Sequence, residues 1–222
     1  MEIDGARKRV ARERILSPLE RLSEVLFGLI MALTIIGSLS IARATRDDIR
    51  TMLVAAIGCN AAWGIVDGIM YLMALLVERR RGLGLLLEVQ KDRDAARARR
   101  AVAGQIPPLL ARSIRETELE HLRLELVAMR HLPSAGLTRR DFLGALGVFL
   151  LVFLSTFPVA VPFLLPLQPV VALRLSNAVA LALLFAVGLR IGNYVAYRPI
   201  QTGLAAVGIG VVLVALTLAL GG

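Results

Sequence analysis

Apolar positions fall into five runs, at residues 25–42, 52–77, 142–165, 176–196 and 202–220, with charged segments between them. Each run approaches or exceeds the roughly 20 residues that an α-helix needs to cross a bilayer. The expected fold is an all-α integral membrane protein with five transmembrane helices. A small helical cytoplasmic domain is expected between the second and third. The expected divisions are an amphipathic cytoplasmic segment at 1–24, helices 1 and 2 within 25–77, the helical domain at 78–141, and helices 3 to 5 within 142–222.

Composition agrees with the pattern. Hydrophobic residues make up 57% of the 222 positions, with a mean hydropathy of +0.71, too apolar for a soluble domain of this size. The net charge of +9 does not point to nucleic acid, because the basic residues lie almost entirely between the apolar runs. Their distribution instead sets orientation. With the N-terminus in the cytoplasm, 22 basic residues lie inside and 4 outside; without the long second loop the balance is 8 to 4. The expected topology is N-in and C-out. The single cysteine, Cys59, allows no intrachain disulfide, and no cleavable signal is expected. Only Lys8 and Lys91 are lysines. That arginine bias fits a GC-rich bacterium, so the expected location is the inner membrane.

Local signals place the helix ends. Ser17-Pro18-Leu19-Glu20 opens a helix, with Pro18 in its first turn and Glu20 at the capping-box position. Thr45-Arg46-Asp47-Asp48 reads as a capping box before the second span. That span meets no proline until Pro107-Pro108, so its helix is expected to continue into the cytoplasm, weakened at Gly82 and Gly84. The stretch 92–100 reads as a solvated helix, and 109–130 as a second cytoplasmic helix. The third span carries Pro158, Pro162 and Pro166 at intervals of four, behind Ser155 and Thr156. Interior prolines remove backbone hydrogen bonds, and the freed carbonyls are either part of a cation path or features of a bent, packed helix.

Two stretches carry candidate chemistry. Asp67 is the only carboxylate inside any apolar run, and a charge at bilayer depth costs roughly 3 kcal/mol on insertion scales. Asn60, Gly64 and Tyr71 share a helix face with it. Gly64 and Gly68 form a small-xxx-small packing motif. In the cytoplasmic segment Glu118, His121 and Glu125 are spaced three and four, a spacing used in helix-bundle metal sites. Glu88 or Asp92 from the preceding helix would complete such a site. The other reading of the same residues is a solvated face of ordinary helix ion pairs.

The layout, the small and polar second span, the Pro158…Pro162-Phe163 pattern and the glycine-rich closing span together resemble the vacuolar iron transporter family. The resemblance covers the chain from about Leu19. It implies five spans, a helical metal-binding domain after the second, a homodimer, and export of ferrous iron or manganese from the cytoplasm in exchange for protons. Where the family opens its first span on Asp-Gly, this chain has Phe27-Gly28, with Glu24 one turn earlier as a stand-in. In the second span Asn60, Gly64, Asp67-Gly68 and Met70-Tyr71 stand at or near the family's ligand positions. The first cytoplasmic helix is arginine-rich rather than glutamate-rich.

The expected function is therefore transport of a divalent cation, iron or manganese, with no tightly bound cofactor. The bilayer, a second copy, metal ions and protons are the expected partners. Asp67 would bind metal and carry the proton, with Asn60, Met70 and Glu24 beside it and carbonyls near Pro158 and Pro162 adding to the path. Metal and proton compete for a carboxylate in a low dielectric. The alternative is a non-transporting membrane scaffold or adaptor on the same fold. No nucleophile–base pair, phosphate loop or cysteine-rich motif suggests an enzyme.

Overall fold

The structure, a computed structural model, describes residues 16, 18–37, 46–107, 110, 113–130, 132 and 134–219. Among them are seven helices: α1 (Pro18–Gly37), α2 (Arg46–Lys91), α3 (Ala95–Ala103), α4 (Glu116–Ala128), α5 (Arg139–Leu164), α6 (Pro169–Tyr194) and α7 (Pro199–Ala219). Four of these, α2, α5, α6 and α7, are long and apolar enough to cross a membrane, so the protein is membrane-embedded and, over the described residues, all-helical. Helix α1 carries Glu20, Arg21 and Glu24 near its start. The far end of the apolar run expected to form the first span, and the expected caps Ser17 and Thr45, lie outside the described residues.

The chain divides into two compact units, one formed by Met1–Tyr71 with Arg139–Gly222 and the other by Leu72–Thr138. In the first, Leu29, Leu33 and Ile36 of α1 share a core with Met52 of α2, Val159 of α5 and Leu173, Ala180, Leu184 and Val187 of α6. Lipid is as apolar as leucine, so such helices associate through close packing and interhelical hydrogen bonds rather than through the hydrophobic effect. Small residues permit the approach. A methyl group at Gly28 would collide with Ser155 Oγ and come within 2.7 Å of the Val152 carbonyl oxygen, so α1 lies directly on α5. A methyl group at Gly188 would reach the Cα of Gly203 at 2.8 Å, which brings the α6 and α7 backbones together. Gly203 and Gly210 are packing positions, whereas Gly208 faces open space. The α6–α7 turn places Ala196 at a φ of 53° and closes with Tyr197 N–H donating to the Gly192 carbonyl at 2.9 Å.

Helix α5 runs through both Pro158 and Pro162, and Pro166 falls in the turn after it. Ser176 of α6, fully buried, donates from Oγ to the Val159 carbonyl at 2.6 Å, beside these prolines. A neighbouring hydroxyl thus bonds a carbonyl within the proline-bearing turn, one residue past the Pro158 carbonyl that Pro162 leaves without its helical donor.

The second unit corrects two expectations. Helix α2 ends at Lys91, and α3 starts afresh at Ala95, so 92–100 is not one helix. Asp94 makes the break by capping α3: its side chain accepts from Ala96 N at 2.9 Å and Arg97 N at 3.4 Å. Nor is α3 solvated all round. Ala98 and Val102 are buried with Val89 of α2, and Leu119 and Leu126 of α4 pack against them. Helix α4 begins at Glu116 rather than near 109, because Arg115 is extended (φ −80°, ψ 157°) and its N–H donates to Glu118 Oε2 at 2.9 Å. Gln90 ties α2 to the end of α4, donating to the carbonyls of Leu126 at 3.1 Å and Met129 at 3.0 Å.

Candidate functional site

The polar face of α2 lies against α1 and α5. Asn60 is fully buried. Its Nδ2 donates to the Gly28 carbonyl of α1 at 3.1 Å and to Thr156 Oγ1 of α5. Thr156 is itself buried, and neighbouring Ser155 donates back to the Val152 carbonyl at 2.6 Å. One asparagine therefore links three helices. Its other polar atom, Oδ1, is buried and has no hydrogen-bond partner among the described residues.

Further along α2, its small residues meet α5 directly. A methyl group at Gly64 would come within 3.0 Å of the Phe149 ring and carbonyl, and one at Gly68 within 3.1 Å of the Ala145 carbonyl. Tyr71 lies on Gly144, where a methyl group would reach the tyrosine hydroxyl at 2.6 Å. Phe27 of α1 meets Trp63 of α2 edge-on, with ring centroids 5.8 Å apart.

Asp67 sits between these contacts. It is half-buried, and its Oδ2 is buried without a hydrogen-bond partner among the described residues. Glu24 of α1, also half-buried, lies within electrostatic reach of both Asp67 and Glu20. Two carboxylates far apart in sequence thus feel each other's charge. Met70, expected beside Asp67 as a neutral ligand, is instead 61% exposed. Pro162 is buried and Pro158 exposed.

The candidates of the second unit are not gathered in the same way. Among the described residues no three His, Cys, Asp or Glu side chains form a group that could hold a metal ion. Glu118 caps its own helix. His121 Nδ1 stands 3.8 Å from Glu125 Oε1, with both side chains exposed. Asp92 accepts from Asp94 N at 2.9 Å and faces Arg97 at 3.8 Å, and Glu88 is exposed. What α3 and α4 do share is an arginine–glutamate cluster. Arg99 reaches Glu120 at 3.1 Å and Glu116 at 3.4 Å, and Arg123 reaches Glu120 at 2.6 Å. Hydrogen bonds from Arg123 and Arg99 hold the Glu120 carboxyl down to about 2.

No family model matches the chain, and no curated protein matches it.

Proposed function

We propose that the protein transports a divalent metal cation, iron or manganese, across a bacterial inner membrane in exchange for protons. The observation that carries this reading is Asp67, a carboxylate at membrane depth with an oxygen that no donor among the described residues satisfies and with Glu24 in electrostatic reach. An acidic residue in that setting marks an ion or proton pathway more often than a structural contact. Hard and borderline divalent ions take carboxylate, amide and carbonyl oxygens. Glu24 and Asp67 supply the charge, and Asn60 supplies a neutral oxygen further along the same face. A first span built on α1, an N-in and C-out topology and a homodimer complete the proposal. They rest on the basic-residue distribution and on the resemblance to vacuolar iron transporters.

The test is flux of Fe²⁺ and Mn²⁺ into or out of liposomes that hold the purified protein under a proton gradient. Wild type should move metal and Asp67→Asn should not. Equal flux in both would remove Asp67 from the path.

A second reading is a membrane scaffold that transports nothing. The close seating of Gly64 and Gly68 on α5 favours it, because the same face of α2 then has a packing role. Wild-type liposomes without metal flux, together with purified protein that binds no metal, would decide for the scaffold.

A further inference from the structure

At the end of the bundle marked by the α5–α6 turn, a groove of about 520 Å³ opens between α2 and that turn. The volume lies within the range of small-molecule pockets. Leu53 and Ile57 of α2, Phe163 and Leu165 at the end of α5, and Ala172 of α6 are among its walls. Arg50 is the only side chain lining it that carries a polar group.

No hydrogen bond or ion pair is seen for that guanidinium among the described residues, and neither Asp47 nor Asp48, both in the first turn of α2, lines the groove. The N-terminus of α6 enters the same groove through Pro169, and Gln168 before it makes no side-chain cap. A helix N-terminus carries partial positive charge. The groove thus joins apolar walls to a positive rim at the end of the membrane helices.

We propose that this groove binds an anionic phospholipid, with one acyl chain along the α2 and α5 walls and the headgroup phosphate on Arg50. Charge complementarity selects the occupant. A zwitterionic lipid would bring its own cation to a rim that is already positive, and a free phosphate would leave the apolar walls uncovered. Arginine suits a phosphate because its planar donors match two oxygens at once. The site is separate from Asp67 and stands whether or not the protein transports metal.

The experiment uses the full-length protein in mild detergent, with thermal unfolding followed through the single tryptophan, Trp63. Phosphatidylglycerol, phosphatidylcholine of the same chains, and inorganic phosphate are added in turn. Phosphatidylglycerol should raise the Tm by roughly 3 °C or more, and the other two should have little effect. Arg50→Gln should abolish the phosphatidylglycerol shift, Arg50→Lys should keep part of it, and Val54→Trp, which narrows the groove, should reduce it. An equal shift from phosphatidylcholine would overturn the proposal, as would a shift from phosphate alone or a full shift in Arg50→Gln. If Arg50→Gln does not fold, the lipid comparison on wild type and Arg50→Lys decides.

Discussion

Asn60 on α2 donates from Nδ2 to the carbonyl oxygen of Gly28 on α1 at 3.1 Å, from a position sealed off from solvent. The same amide reaches Thr156 on α5. Replacing it with alanine removes both interhelical bonds and leaves a small void. The expected loss is about 1–2 kcal/mol, at the upper end of what single polar contacts contribute between membrane helices. Denaturant-induced unfolding of Asn60→Ala in detergent micelles measures it. No loss would mean that the three-helix link does not hold the bundle together.

Gly28 should tolerate even a methyl group poorly. The Val152 carbonyl is backbone and cannot swing away, so Gly28→Ala must push α1 from α5 at a cost of about 1–3 kcal/mol. Gly58→Ala is the matched control on α2, where no atom of the described residues outside its own helix turn lies within 4 Å of an added methyl group. There the higher helix propensity of alanine should leave stability unchanged or raised by about 0.5–1 kcal/mol. The two variants, unfolded side by side, separate close packing from a general effect of glycine.

If Glu24 and Asp67 act on one cation, their substitutions should not add. Glu24→Gln and Asp67→Asn should each remove most of the metal flux, and the double variant should be no worse than Asp67→Asn alone. Additive losses, in a double-mutant cycle on initial flux rates, would assign the two residues to separate steps.

Acid should loosen the α3–α4 pair before the membrane helices. The folded value of Glu120, about 2, lies below its ordinary 4.5. Its contribution is therefore present in full above pH 4.5 and is lost as the pH falls towards 2. Amide hydrogen exchange in α3 and α4 of the intact protein should accelerate across that window. In Glu120→Gln the acceleration should be weaker, because the variant has already lost the ion pairs at neutral pH.

The parts of this structure legible in the sequence are those governed by short-range periodicity. Apolar run length locates α2, α5, α6 and α7, and the absence of proline carries α2 past the apolar run to Lys91. Spacing also puts Asn60, Gly64 and Asp67 on one face. What periodicity cannot supply is the identity of the facing helix. The spacing of Glu118, His121 and Glu125 gives a shared face, but a metal site needs enclosure, and the helix that comes across brings Arg99. The nearness of Glu24 to Asp67 has no local signal, because 43 positions separate them. Only the family resemblance pointed to Glu24. The break before α3 did have a signal in Asp94 ahead of Ala95-Ala96-Arg97, but it was hidden in a run of charges that reads equally well as one continuous solvated helix.

Gly28 takes part in two features at once. Its missing side chain lets α1 rest on Val152 and Ser155, and its carbonyl receives the Asn60 amide. Sliding α1 along α5 by one residue would drive a bulkier side chain into that contact and tear the amide from its acceptor together. Tilting α1 about the contact would do neither. The crossing therefore behaves as a pivot, and rearrangement of these helices would proceed by rocking rather than by translation.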